Sequence, residues 1–385
     1  MNTTQTSPPG QPKILSIQAL RGLAAALVVY MHAMIHATAL NIGDSVQQQF
    51  FFLASFGAVG VDIFFVISGF IITVVSGKFL REHGVQDFFV KRLIRIVPIY
   101  WLLSLVELTN SLLQHPERLS VDAIIKTIVI LPIFDQTQFV FPVLNLGWTL
   151  AFELYFYLVV GLFLLTKRRT FILYAAAFML TLIGLGFIVP DLADPMFEFI
   201  TNPMILEFLA GCLIGWWFQT RAKPGMGVSW GLIISSIIIF AMTIGLDNSS
   251  ISKAENVIND ANLAVVRVLL WGIPSTAIVA GLLFLESNRS LPVHRSLILF
   301  GDASYSIYLT HFFSLTVFDK IWLLLKLKSP DILIIAAVIF SIAVGVIFYF
   351  MVENTLLEYL NSKYSAYCQR RSRQERLPLP VGKKQ

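Results

Sequence analysis

The chain has 385 residues, 56% of them hydrophobic and only 13% charged, about half the charged share of an ordinary soluble domain. That balance excludes a soluble globular enzyme and reads as an integral membrane protein; the net charge of +5 then belongs to topology and headgroup attraction rather than to nucleic-acid binding. Cys212 sits in an apolar run and Cys368 in the basic tail, and neither has CxxC or Cys/His ligand spacing, so neither a disulfide nor a metal site is expected.

The first dozen residues are polar and Pro-rich, and the first apolar run carries Arg21 and His32 with no small-residue cleavage signal behind it, which reads as a retained helix. Runs long enough to cross about 30 Å of hydrocarbon then recur near residues 18–39, 56–76, 93–113, 146–166, 170–189, 203–218, 228–246, 263–285, 300–324 and 331–352. The expected architecture is all-α and polytopic, with about ten transmembrane helices. Residues 1–13 read as a disordered N-terminus, 14–353 as one membrane domain and 354–385 as a basic tail. An even number of spans puts both termini on one side. Assigning that side to the cytoplasm places most of the 28 Lys and Arg there, including Lys78 to Arg95, Lys167 to Arg169 and everything from Lys363 onward. On the outer side, Val121 to Phe134 is apolar but too short to span comfortably, and reads as a re-entrant or interfacial helix. The outer loops are otherwise acidic or neutral, as at Asp191-Leu192-Ala193-Asp194, and contain no Walker, Rossmann or metal-binding signature.

Five stretches place polar chemistry inside apolar runs. Arg21 and His32 are eleven residues apart, almost three helical turns, so they share a face at a separation of about 16 Å. An intramembrane ionisable pair marks a functional site by default, against the alternative of a snorkelling arginine and a packed neutral histidine. Asp62 lies in Gly60-Val61-Asp62-Ile63-Phe64-Phe65 and must be paired or neutral, with His32 or an arginine as partner. Arg92 and Arg95 are neighbours on one helical face and suit a grip on phosphate, or serve as a positive-inside anchor. Glu153 lies about two turns into the span that begins at Gly147-Trp148-Thr149, where an aromatic belt gives no reason for a carboxylate. Tyr305, Tyr308 and His311 recur at i, i+3 spacing and form one polar stripe, in which His311 ranks below His32 because a satisfied core histidine is the commoner case. Glu353 reads as a cap or ion-pair partner, and His36, His83, His115 and His294 receive no role.

Together these segments resemble the membrane-bound acyltransferase 3 family. The likeness rests on Leu20-Arg21-Gly22-Leu23-Ala24 through His32, Gly60 through Phe70, Arg92-Leu93-Ile94-Arg95-Ile96-Val97-Pro98, Gly147-Trp148-Thr149 through Glu153, and Ser304 through His311. The resemblance implies an acyltransferase that moves an acyl group from acyl-CoA to a cell-envelope glycan, with His32 as the catalytic histidine and Arg21 as its partner toward the donor. Thr149 stands where many members have serine, and the wording around Trp148 looks most like exopolysaccharide acetyltransferases of the succinoglycan type. Acetyl-CoA is then the expected co-substrate, no cofactor is permanently bound, and a bacterial polysaccharide repeat unit is the expected acceptor. The bacterial inner membrane is the expected location, and polysaccharide-assembly proteins are possible partners. Some relatives carry a fused hydrolase-like domain beyond the membrane region that this sequence is expected to lack.

On this reading Arg21, Arg92 and Arg95 hold the phosphates of acyl-CoA, and His32 acts as general base or brief acyl acceptor. Asp62 orients the imidazole, and Glu153, Trp148, Tyr305 and His311 face the acceptor. The rival from another class is a glycan or lipid-linked oligosaccharide flippase, which ten helices with buried charges would also suit; no internal repeat of the transporter kind is visible.

Overall fold

A computed structural model describes residues 14–375 apart from 50, 115–120, 131–132, 136–137, 141, 190–193, 220–222 and 289–290. The 1–13 segment, His115 and the Asp191-Leu192-Ala193 stretch lie outside the described residues. Among those described, ten helical segments are long and apolar enough to cross a membrane. They are Leu15–Leu40, Leu53–Phe79, Gly84–Leu113, Gly147–Leu164, Phe171–Ile188, Pro195–Gln219, Met226–Ile244, Ala261–Asn288, Ser304–Leu324 and Pro330–Ser372, referred to below as the first to tenth spans. Each coincides with one of the ten apolar runs. Among the described residues, the exception to an all-helical chain is a small antiparallel ribbon in which Ile133–Asp135 pairs with Gln138–Val140. It follows the short helix Val121–Val129; of Val121 to Phe134, expected to form one re-entrant or interfacial helix, the end at Ile133 and Phe134 is strand instead.

Two boundaries differ from the sequence reading. The ninth run does not start at 300. A separate helix, Arg295–Asp302, closes at Ala303 before the span begins at Ser304, and it lies across the first span. The tenth continues past the apolar run through a π-helical turn at Tyr349–Glu353 into Asn354–Glu375, because that polar segment finds partners on the third span. Arg371 and Tyr364 both bond the Asp87 carboxylate, at 3.2 and 2.6 Å. Arg371 is therefore a docked residue rather than a solvated one.

The first span is fixed at both ends. The Leu15 and Ser16 N–H groups donate to the Glu286 carboxylate at 2.9 Å, so the eighth span supplies the negative charge that an open helix N-terminus favours. At the other end Asn41 adopts a left-handed conformation, φ 47°, and returns its N–H to the Thr38 carbonyl. Against the second span the first is held by backbone contact. A Cβ on Gly60 would lie 2.3 Å from the Ala24 carbonyl oxygen, about one turn beyond Arg21 on the side toward His32. Membrane helices, which gain nothing by hiding apolar surface from lipid, associate through such close approach of small residues.

The second and sixth spans meet in the same way, and here the effect of a side chain can be stated. A Cβ on Gly211 would lie 2.0 Å from the Val66 carbonyl oxygen, so backbone rather than a flexible side chain would have to move. Gly211→Val is expected to cost at least about 1–3 kcal/mol, read as a lowered midpoint of thermal unfolding in detergent. An unchanged midpoint would show that the two helices do not pack this closely.

Candidate active site

Three neighbouring cavities lie in the bundle, each sharing lining residues with the next. The first, the mouth, encloses about 310 Å³ and is walled by Arg21, Lys91, Arg95, Asp302 and Glu353. Arg21 and Arg95 are shared with the second, a neck of only about 80 Å³ whose polar wall includes Arg92, Glu153, Tyr157 and Tyr305. Val61 and Tyr308 line both the neck and the third cavity, a chamber of about 630 Å³. His32, Trp148, Asn145 and Arg267 face this chamber, and Ser252 and Lys253 come from the loop segment that covers it.

The expected convergence of Arg21, Arg92 and Arg95 is therefore present, produced by two helices. Arg21 enters from the first span, while Arg92 and Arg95 sit one turn apart on the third. Arg21 donates to the Gln18 side chain at 3.4 Å, and Arg92 lies 5.6 Å from the Tyr157 ring centre. Both line the neck, Arg92 as a buried side chain whose Nε has no hydrogen-bond partner among the described residues, and a planar fork of donors there can take an oxyanion ligand.

Glu153 is in the neck, not in the chamber with His32. It accepts from Ser68 Oγ at 3.2 Å and from the Tyr157 hydroxyl, and shares the neck with the arginines. Expected to face an acceptor hydroxyl, it stands among the three arginines expected to hold the donor. Tyr305, also expected to face the acceptor, lines the neck, and its hydroxyl donates to the Ile96 carbonyl at 2.8 Å. Trp148, the other residue of this expected group, lines the chamber. The boundary between neck and chamber is made by Thr149 and Tyr308. Thr149 donates to the Leu146 carbonyl at 3.0 Å, so its oxygen is left to accept from the Tyr308 hydroxyl at 2.9 Å.

His32 is oriented by backbone. Its Nδ1 lies 2.9 Å from the Val28 carbonyl oxygen, which can only accept; Nδ1 therefore carries the proton, and Nε2 keeps a bare lone pair. Asp62 does not orient this imidazole. Its two oxygens accept from Arg267 Nε at 2.9 Å and Nη2 at 2.8 Å, a bidentate pair in which both residues are fully buried. Arg267 also donates to the Ile251 carbonyl at 2.9 Å and the Ala58 carbonyl at 3.3 Å, joining the second and eighth spans to the segment that covers the chamber. Glu207, buried in the sixth span, is the third ionisable group of this cluster.

The sequence reading missed Arg267 and Glu207. The signal was available, since each is a lone ionisable residue inside an apolar run. His311 is completely buried and stands behind His32 rather than on the chamber wall, with ring centres 4.8 Å apart. His36, given no role from sequence, pairs with Asp319 at 2.6 Å. Among the described residues no group of His, Cys, Asp and Glu could hold a metal ion.

A family model described as an acyltransferase domain, that of the acyltransferase 3 family, matches residues 14–350. The exopolysaccharide production protein ExoZ of Rhizobium meliloti is 34% identical over 307 residues, covering 78% of this chain and 90% of that protein. Nodulation protein 10 of Rhizobium leguminosarum is 27% identical, covering 76% of this chain and 80% of its own length. The peptidoglycan O-acetyltransferase OatA of Listeria monocytogenes is 25% identical over 82% of this chain, which spans about half, 51%, of that longer protein. No solved structure matches the chain.

Proposed function

This chain belongs to the acyltransferase 3 family and is a multi-span membrane acyltransferase, and from that premise we propose that it transfers acetyl from acetyl-CoA to a hydroxyl of a bacterial exopolysaccharide or related envelope glycan. The reading places both termini in the cytoplasm and the protein in the bacterial inner membrane, with the mouth open to cytoplasmic acyl-CoA. The observation that carries it is the series of mouth, neck and chamber, with cationic groups at one end and the bare Nε2 of His32 at the other.

A nucleotide phosphate group requires several cationic donors, which Arg21, Lys91 and Arg95 provide at the mouth. The pantetheine arm is long and thin, and in this reading it is the part of the donor that occupies the small neck of about 80 Å³. Arg21 and His32 are about 16 Å apart along the first span, which makes the arm, not the nucleotide, the part that reaches the histidine. In the chamber, His32 Nε2 takes the proton of the acceptor hydroxyl while its oxygen attacks the thioester carbonyl. The carbon–sulfur bond breaks, and the proton returns from His32 to the leaving thiolate. Asp62 acts at one remove in this scheme: through Arg267 it holds the chamber's cover in place.

The direct test is transfer of labelled acetyl from acetyl-CoA by the purified protein in lipid vesicles, offered a panel of polysaccharide repeat units. Label on a glycan establishes reaction and acceptor together; absence of both labelling and acetyl-CoA binding would turn attention to glycan translocation. The donor side has its own prediction. Removing one charge-assisted contact in Arg95→Ala is expected to raise the KM for acetyl-CoA about ten- to a hundredfold, with kcat at saturating donor far less affected. A fall in kcat alone would move Arg95 away from donor binding.

A further inference from the structure

The polar helix that continues the tenth span, Asn354–Glu375, carries a stripe that the acyl-transfer scheme leaves unused. Asn354, Leu357, Asn361, Tyr364, Cys368 and Arg371 follow one another at alternating steps of three and four, which keeps them on one helical face. The two halves of that face do different things. Asn354, Leu357 and Asn361 line the mouth, while Tyr364 and Arg371 bond the Asp87 carboxylate at 2.6 and 3.2 Å. The third span answers in the same register. Asp87, Lys91 and Arg95 recur at four-residue steps, Asp87 in the grip of the tail helix and the two cations in the mouth. The two helices therefore run side by side in opposite directions, and both bound the mouth just beyond the Asp87 clasp.

The clasp holds a helix that is polar along most of its length to one position. Asp87 is 1% exposed and also bonds Arg81, and Arg371 makes a second bond, to the Gln86 side chain, at 3.0 Å. A buried carboxylate that meets two guanidinium groups and a phenol is fully compensated. What the helix brings to the mouth differs from what the other walls bring. Arg21, Lys91 and Arg95 stand there with two carboxylates, Asp302 and Glu353, the second of them bonded to Ser306 Oγ. The tail helix adds no charge: it presents Leu357 between two carboxamides. Asn361 donates to the Leu357 carbonyl at 2.8 Å, and its amide oxygen takes no hydrogen bond among the described residues. An apolar surface flanked by carboxamides suits the face and the polar edge of a heteroaromatic ring.

We propose that the tail helix is the nucleoside-binding wall of the mouth, with Leu357 against the face of the donor's base and Asn354 and Asn361 toward its polar edge and the ribose hydroxyls. The mouth then has two separate grips, cations for phosphate and an uncharged wall for the nucleoside. Asp87 is a positioning residue: one turn before Lys91, its clasp sets how far the wall stands from the cations. The inference rests on the reading of the mouth as the entrance for acyl-CoA, so the experiment has to separate the two claims.

Binding of CoA and of 4′-phosphopantetheine, which keeps the arm and a phosphate but has no nucleoside, is measured by calorimetry on the full chain in lipid nanodiscs. The proteins compared are wild type, Leu357→Ala/Asn361→Ala and Asp87→Asn. Leu357 and Asn361 are not buried, so their loss leaves the bundle intact, and they are uncharged, so the grip on phosphate is unaltered. Wild type is expected to bind CoA more tightly than phosphopantetheine. The double variant weakens CoA about ten- to thirtyfold, the worth of a hydrogen bond and an apolar contact, and leaves phosphopantetheine unchanged. Asp87→Asn also weakens CoA alone, although removing a negative charge beside a cationic mouth would by itself tighten a phosphate ligand. Tighter CoA binding in Asp87→Asn would show that the clasp does not position the wall; if that buried site tolerates no change, the double variant decides the proposal by itself. Equal wild-type affinity for both ligands, equal weakening of both in the double variant, or no change in either overturns the nucleoside wall and leaves the donor assignment in place. A wild-type protein that binds no CoA removes the assignment of the mouth instead.

Discussion

His32→Ala is expected to abolish most acyl transfer, lowering the rate by about 10² to 10⁴, while acetyl-CoA still binds. The two halves of that result have separate physical sources. The side chain makes its one hydrogen bond to the Val28 carbonyl of its own helix, so its loss breaks no contact between spans other than ring packing against His311 and Phe312. On the proposed reading the donor is held at the mouth, about 16 Å away along the helix, and its affinity should be untouched. A variant that binds acetyl-CoA with wild-type affinity yet transfers nothing would assign the chemistry to the imidazole. Loss of binding and of thermal stability together would instead give His32 a packing role.

The second large effect concerns stability. Arg267→Leu or Asp62→Leu should each destabilise the protein by about 3–5 kcal/mol, because each strands an uncompensated charge where both partners were fully buried. The double variant Asp62→Leu/Arg267→Leu is expected to be more stable than either single one, since neither member of the ion pair is then left without the other. Thermal unfolding of the four proteins in one detergent measures this directly. If each single change costs no more than an ordinary surface ion pair, the pair is not holding the second and eighth spans together. Arg267 also donates to the Ile251 carbonyl, so the single variants should loosen the segment over the chamber before the bundle itself unfolds.

What could be read from the sequence follows from how local each feature is. Membrane spans are set by runs of apolar residues, and all ten coincide with helices. Arg21 and His32 share a helix, and Arg92 and Arg95 share another, so helical periodicity alone placed each pair on one face. Contacts between helices far apart in the chain carry no such signal. Asp62 lies 205 positions from Arg267, and nothing in the apolar run around either residue names the other. Glu153 and Tyr305 were recognised as buried polar groups, but whether a residue on a helix turns toward the neck or the chamber depends on how the bundle is assembled. The start of the ninth span was misread for a related reason. The stretch 295–303 is apolar enough to continue a helix, yet the chain turns at Ala303, where Gly301 rests against the Gln18 backbone of the first span.

The neck has a consequence for the cell's energy supply. An enzyme that takes its donor from one side of an energy-conserving membrane and delivers the acyl group toward the other needs a passage through the bilayer, and a wet passage would let the proton gradient run down. The neck of about 80 Å³ carries Arg21, Arg92 and Arg95 against a single carboxylate, Glu153. Fixed positive charge in a constriction raises an electrostatic barrier to protons and other cations. The same guanidinium groups that suit the donor's phosphates therefore also suit insulation: an uncharged thioester arm can enter, while a hydronium ion is repelled. Donor binding and ion tightness would then be selected together, so weakening the cationic lining has a cost for the cell even when no substrate is present.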